Sequence, residues 1–455
     1  MRLTGFPLLV ASSLLLATAA NAAARPRYGG NLHVSMRAAP AALDPADASQ
    51  TDWDGYHNVC SLIFETLVSL DEQGRPKPAL AASWQAEPGN QRWQFSLRRG
   101  VTFADSAPVT PDLVAASLRR ANPAWKVFSA TDAVVIERDS PAPDLPAEMA
   151  LLRNSIVRRE AGQVIGTGPF VVAAWDPGKK LTLVARDQYW GGRPFLDSIE
   201  IEMGRNFRDQ MISFDLGRAQ LIEVAPEQTH RAAADGRRVE NSSPMELMAL
   251  VFDHAPQSAE DGHQREALAL SIDRHLINDV VLQGGGEPAG GLLPDWMTGY
   301  GFLFAANVDL TRAQQERAEV PQAALWTLGF DVNDPVAHVV AERIVLSARD
   351  AGLRLQLATS SAADVRLVRI PLVSLDAHVA LTELTAALGL PQPKFNGDSV
   401  DDLYAAENAL LQTRRVIPLL HLRTACAVST TVKGWSQTRD GSWRLPDAWL
   451  AAGKP

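Results

Sequence analysis

The sequence predicts a mixed α/β (α+β) fold built from two or more lobes. Three observations carry that prediction. Alternating apolar segments and helically spaced ones are interleaved from end to end, the pattern of mixed sheets with covering helices. The chain has 455 residues, more than one hydrophobic core usually organises. It also lacks internal repeats, and its mature part has no low-complexity linker that would mark a string of separate modules.

The elements follow in order. Residues 31–36, Asn-Leu-His-Val-Ser-Met, alternate and read as a strand stopped by Leu43-Asp44-Pro45. Val59, Leu62, Ile63, Leu67 and Leu70 have helical spacing and predict a helix over residues 59–70. Trp93, Phe95 and Leu97 alternate with Gln94, Ser96 and Arg98, giving a strand with one wet face. Thr110-Pro111-Asp112 opens a helix: Thr as cap, Pro in the first turn, an acid near the positive end of the dipole. Pro141, Pro143 and Pro146 predict an extended loop. Residues 170–175 and 181–185 read as strands joined around Asp176-Pro177-Gly178. Ile199, Ile201 and Met203 alternate with Glu200 and Glu202 in another half-exposed strand. Residues 247–252 are continuously apolar, as in a strand buried on both faces. Leu268, Ile272, Leu276 and Val280 lie on one i+4 row, predicting a single helix over residues 263–282 that Gly284-Gly285-Gly286 ends.

The N-terminus carries Arg2, an apolar run over residues 6–17, and then small residues through Ala24. This is the pattern of a cleaved export signal over residues 1–24, cut near Ala22 or near Ala24. No cysteine lies there, so no lipid anchor is expected, and no later stretch is long and apolar enough to span a bilayer. Hydrophobic residues make up 46% and charged residues 21%, an ordinary globular balance. The net charge of −9 argues against nucleic acid and against an anionic membrane surface as partner. Cys60 and Cys426 are too few for a disulfide scaffold or a cysteine-rich zinc site; they either pair across a very long loop or stay as separate buried thiols.

No motif of a nucleophile elbow, a zinc protease or a phosphate loop is present, and the nine histidines include no pair at metal-ligand spacing. The glycine-rich run over residues 284–291 follows a helix and contains Pro288, so it reads as a plain loop. The chain is therefore not expected to be an enzyme, and neither a cofactor nor a resident metal is expected.

Several blocks, in order, resemble one family, the extracellular solute-binding proteins of family 5, the peptide- and nickel-binding cluster that serves ABC transporters. They are Tyr28-Gly29-Gly30-Asn31-Leu32; Phe64-Glu65-Thr66-Leu67 with Ser83-Trp84; Leu97-Arg98-Arg99-Gly100-Val101-Thr102-Phe103 with Pro108-Val109-Thr110-Pro111-Asp112-Leu113; Gly166-Thr167-Gly168-Pro169-Phe170 with Tyr189-Trp190-Gly191-Gly192; Arg265-Glu266-Ala267-Leu268 with Ser271-Ile272-Asp273-Arg274; and Val432-Lys433-Gly434-Trp435. They span nearly the whole mature chain. The matches depart at Ala104-Asp105-Ser106, at Asp253-His254, and across residues 298–335. Most matching residues read as structural: Gly166 to Pro169 as a turn whose glycines supply backbone freedom, and Arg274 as half of an exposed ion pair or a loop contact.

The resemblance implies a hinged fold like that of type II periplasmic binding proteins, with two main lobes and a reduced extra one. Lobe I would combine residues 25–51, 166–250 and 425–455; lobe II would be an insertion over 52–165; lobe III would cover 251–424. Crossovers near Phe252 and Arg423 would act as hinges. A peptide or peptide-like solute would bind between lobes and pass to ABC permease subunits from a soluble, periplasmic monomer, with no membrane insertion and no nucleic-acid partner. The implied ligand contacts are Asp376 for a peptide ammonium, Asp253 near the hinge, and the aromatics Trp53, Tyr56 and Trp296. Each has an alternative: Asp376 suits a helix cap equally well, and the aromatics suit core packing. The nickel binders of the family leave His254 or His378 as contacts for a chelated metal. A non-peptide solute (metal chelate, oligosaccharide, opine) or a ligand-presenting signalling role are the other readings.

Overall fold

The structure, a computed structural model, describes residues 25–47, 53–358 and 363–451. The export-signal reading falls on residues 1–24, outside the described residues. Among the described residues no helix is long and apolar enough to cross a membrane.

Three sheets organise the chain. The first has seven strands in the order Phe170–Asp176, Lys180–Ala185, Ser198–Glu202, Asn31–Ser35, Leu221–Val224, Ala425–Val428, Arg238–Asn241. Asn31–Ser35 runs parallel to both of its neighbours, and the remaining pairs are antiparallel. The second is an antiparallel sheet of Ala81–Ala86, Arg92–Leu97, Ala133–Glu137 and Lys126–Ser129. The third has six strands in the order Gly286–Pro288, Val416–Leu422, Glu246–Phe252, Val365–Pro371, Leu325–Gly329, Arg354–Ala358. Each is built on its own apolar core: Leu32, Ile199 and Leu221 in the first, Phe95, Phe103 and Leu118 in the second, Leu250, Leu268 and Leu419 in the third.

The connection between the first and third sheets positions the site. The chain leaves Asn241, crosses over residues 242–245, and enters the six-stranded sheet at Glu246; it returns from Leu422 to Ala425 over residues 423–424. The crossover therefore precedes the buried strand Glu246–Phe252 instead of lying beside Phe252, because that whole strand pairs with Val365–Pro371 and Val416–Leu422. The two crossings lie side by side. Ser242 N donates to Thr424 O at 2.9 Å, Thr424 N to Ser242 Oγ at 3.0 Å, and Met245 N to Leu422 O at 2.9 Å.

Several local expectations hold and others change, among them the extended loop expected through Pro146, whose last residues form the short helix Leu145–Glu148. Thr110 caps the helix Pro111–Ala121 through Leu113 N, and the strands at 31–35, 92–97, 198–202 and 246–252 match their patterns. The helix expected over 59–70 instead spans Trp53–Ile63. Its end is fixed by Gly166 and Gly168, where an added Cβ would lie 2.0 Å and 2.7 Å from Ile63 O, while Gly168 N donates to that oxygen at 2.9 Å. These glycines thus permit a close backbone approach, and neither is among those with positive φ. The long helix expected over 263–282 ends at Ser271: Ile272 is extended, and Asp273 caps a new short turn by accepting from Leu276 N at 2.9 Å.

Arg274 corrects another expectation. It is 4% exposed and, among the described residues, meets no carboxylate ion-pair partner; its guanidinium donates to the carbonyls of Pro418 at 2.9 Å, Ala269 at 3.1 Å and Ile272 at 3.3 Å. Burial pulls its pKa down to about 10. Pro418 sits in a strand buried at every residue, at a register shift opposite Met248 and Ala249, where its missing N–H breaks the ladder. The guanidinium thus satisfies a carbonyl at that irregularity. The glycine-rich run 284–291, expected to be a plain loop, instead puts Gly286–Pro288 into the six-stranded sheet as an edge strand against Val416–Leu422, and the rest of the run is loop. Glu407, buried, accepts from Leu292 N at 2.5 Å, Leu293 N at 3.1 Å and Tyr300 Oη at 2.7 Å, and a Cβ on Gly291 would lie 2.8 Å from its Oε1.

Two predictions follow from this packing. Gly166→Ala will force the 166–168 segment off the helix end, lowering stability by roughly 1–3 kcal/mol, as overpacking does; chemical denaturation of wild type and variant measures it. His421 is fully buried, its Nε2 is 3.1 Å from Leu292 O, and burial depresses its pKa from 6.5 to about 4. The unfolded chain then binds more protons than the native one between those values, so stability is complete above pH 6.5 and falls as pH drops towards 4. The His421 contribution is on the order of 3 kcal/mol, and His421→Gln will flatten the fall relative to wild type in melts across that range.

Candidate functional site

A polar recess lies where the three sheet units meet. It has a volume of about 510 Å³ and is lined by the helix Trp53–Ile63, the hairpin of Val68–Leu70 with Pro76–Pro78, residues 372–375 after the strand Val365–Pro371, and the C-terminal loop 438–444. That volume is typical of small-molecule sites, ~300–1,000 Å³. A second recess of about 470 Å³ adjoins it, sharing Glu72, Thr438 and Arg444 as walls.

The two recesses differ in charge. The first presents Asp54, Glu65, Asp71, Glu72 and Asp440 against Lys77 and Arg444. The second presents Arg423, Arg439 and Arg444 against Glu72 and Glu287. Glu65 is held by Tyr189 Oη at 2.6 Å and Trp190 Nε1 at 3.1 Å, and Arg98 covers the Trp190 ring at 4.5 Å. Burial raises the Glu65 pKa in spite of those bonds. Burial also lowers the pKa of His57, against the pull of Asp440. Burial opposes ionisation of Asp440 in turn, but His57 and hydrogen bonds from Thr438 and Ser442 hold its pKa below the ordinary carboxylate value. Ser442 Oγ lies 3.5 Å from His57 Nδ1. Arg444 donates to Glu72 at 2.7 Å, and Arg439 N donates to the other oxygen of that carboxylate at 3.1 Å.

The residues nominated from sequence scatter. Trp296 lines the second recess, donates from Nε1 to Pro244 O at 3.1 Å, and stacks under Arg439 at 5.4 Å. Trp53 opens the helix that forms one wall of the first recess. Tyr56 is fully buried, with its hydroxyl engaged by the Asp44 backbone, so it packs beneath the wall and does not line it. Asp253 is exposed at the far end of its strand and pairs with Arg366 at 2.8 Å. Asp376 caps the helix Ala377–Ala387 by accepting from Val379 N at 3.0 Å; residues 372–375 line the first recess and Asp376 does not. Sequence reasoning missed His57, Glu72, Asp440 and Arg444, which come together from opposite ends of the chain with no local spacing to link them. Cys60 and Cys426 are separate buried thiols, and burial pushes the Cys60 pKa up to about 12.

A seam closes one side of the cleft. Arg153, next to the four-stranded sheet, makes a two-pronged bond to Glu383 of the helix Ala377–Ala387, at 2.5 and 2.7 Å. Ala147, Leu151 and Val379 pack beside it. Asp144 lies in the same seam, and burial together with Asp376, Asp398 and Glu148 pushes its pKa up to about 6 against the opposing pull of His378.

A sequence profile of the bacterial extracellular solute-binding proteins, family 5 Middle, matches residues 75–383. The chain belongs to that family. This family 5 chain is 24% identical over 371 residues to the probable D,D-dipeptide-binding periplasmic protein DdpA of Escherichia coli (strain K12), covering 74% of this chain and 71% of that one. It is 28% identical over 340 residues to protein XP55 of Streptomyces lividans, covering 65% of this chain and 62% of that one. The crystal structure of NikA from Brucella suis in complex with Fe(III)-EDTA superposes with a TM-score of 0.79 at 19% identity, over 93% of this chain and all of that one. The mixed α/β fold is thus that of the solute-binding proteins, and the relatives are binding proteins of transport systems and not enzymes.

Arg153→Ala will lower stability by about 1–3 kcal/mol, since it leaves a partly buried carboxylate unpaired. In the double variant with Glu383→Ala, part of that loss will return; a double-mutant cycle by urea denaturation measures the coupling.

Proposed function

We propose that this chain is the exported binding component of an ABC importer, and that it captures a small zwitterionic, peptide-like solute in the joined recesses. The observation that carries the reading is the opposite charge excess of two adjoining cavities, acidic in the first and arginine-rich in the second. A solute with an ammonium at one end and a carboxylate at the other matches that polarity. In this reading Asp54 and Asp71 face the ammonium, Arg444 and Arg439 face the carboxylate, and Trp296 covers the carboxylate end. Asp376, capping its helix beside residues 372–375, holds the wall. Arginine suits the carboxylate because its planar fork can donate two parallel hydrogen bonds.

Residues 25–51, 166–241 and 425–451 would act as one lobe with the four-stranded unit attached, and the six-stranded unit would swing against them about the paired crossings at 242–245 and 423–424. Closure excludes water, which strengthens each polar contact to the solute. It also creates an outer surface found only in the loaded form, which a permease can recognise.

The reading is tested by denaturing the purified mature protein and identifying what it releases by mass spectrometry. A zwitterionic peptide or amino-acid derivative is expected, and Arg444→Ala should weaken its rebinding roughly tenfold, ~1.4 kcal/mol. Release of a neutral sugar, or equal affinity for carboxylate-blocked and free solutes, would overturn it.

A further inference from the structure

We propose that Asp144, Asp376 and His378 form a site for one divalent transition-metal ion of the zinc class, bridging the seam between the 140–144 loop and the first turn of the helix Ala377–Ala387. One ligand atom from each side chain lies within 4.8 Å of the other two. His378 Nε2 is buried without a hydrogen-bond partner, and its ring is steered by Phe395, edge to face at 4.8 Å. Asp376 Oδ1 accepts from Val379 N, which fixes that carboxylate. Asp144 precedes the helix Leu145–Glu148 but its side chain makes no capping bond.

The arginines nearby are engaged elsewhere: Arg138 by Glu148 at 2.9 Å and by the Trp125 ring at 4.9 Å, Arg153 by Glu383. Two carboxylates and an imidazole therefore converge with no side-chain cation paired to them among the described residues. One imidazole nitrogen and two carboxylate oxygens suit zinc, or a neighbouring ion such as cobalt or nickel, better than calcium or magnesium, which favour all-oxygen shells. An adjoining cavity of about 550 Å³ leaves room for water as a further ligand. Metal–ligand bonds of ~2.0–2.2 Å would draw the three groups in by about half an ångström.

The site is independent of the cleft that holds the solute, and no chelating solute takes part in it. Its ligands come from two units of the fold, so the ion would tie them together beside the Arg153–Glu383 pair. By linkage, an ion that favours the closed seam raises solute affinity, and solute raises the ion's affinity by the same factor.

The test uses tag-free, metal-stripped protein titrated with Zn(II) by calorimetry, and Co(II)-loaded protein read by its visible absorption. One ion per chain is expected, with a Co(II) spectrum showing nitrogen and oxygen ligation. His378→Ala and Asp144→Asn should each weaken Zn(II) binding roughly tenfold or more, ~1.4 kcal/mol, with metal-free melting temperatures close to that of wild type. His263→Ala and His338→Ala, which remove surface His–Glu pairs, should leave it unchanged. Absence of stoichiometric Zn(II) binding by the wild type, or binding lost in His263→Ala or His338→Ala but kept in the seam variants, would overturn the proposal. Neither outcome touches the solute reading, which the released-ligand experiment decides separately.

Discussion

Among the described residues the chain passes between its seven-stranded and six-stranded sheets twice, and both passages run side by side, laced by Ser242 and Thr424. This constraint shapes the rest. Two bodies, each with its own apolar core, are joined by one paired strip of backbone, with a cleft beside it and further contacts such as Trp296 under Arg439. Backbone hydrogen bonds across the strip keep the crossings in register. The apolar cores of the two bodies stay separate there.

The cleft is polar. A broadly apolar exposed cleft would risk sticking to the wrong partner. Here its walls carry Glu72, Asp440, His57 and Arg444, held by short networks inside one body or across the C-terminal loop. Burial dominates the electrostatics of these groups. It raises Glu65, lowers His57, and is overcome at Asp440 only because a histidine and two hydrogen-bond donors converge on one carboxylate. The seam beside the cleft adds a bidentate Arg153–Glu383 contact and a small apolar patch, and the Gly74 backbone also comes close to that of Leu375.

Much of the fold was legible where one local force dominates. The Thr110-Pro111-Asp112 start, the alternating strand at 92–97 and the buried strand at 246–252 each carry their own signal. The failures share a cause. The helix at 53–63 stops where the glycine segment 166–168, a hundred residues on, presses on Ile63. The long helix predicted over 263–282 breaks because Asp273 offers a cap and Arg274 has a buried carbonyl to reach on another strand; spacing alone cannot register either. The site was less legible than the fold. Tyr56 and Asp376 stand in local patterns that read as site residues but serve packing and capping, whereas the charged wall is assembled from residues near 57, 72 and 440 that have no sequence relation to each other.

In the proposed function, the two bodies joined at 242–245 and 423–424 close on a small solute held between them. Small-angle X-ray scattering of the solute-free protein and of the same sample after reloading tests it most directly. Loading should shrink the radius of gyration, with no change in mass. Superimposable scattering curves for a sample shown by mass spectrometry to have gone from empty to loaded would contradict it.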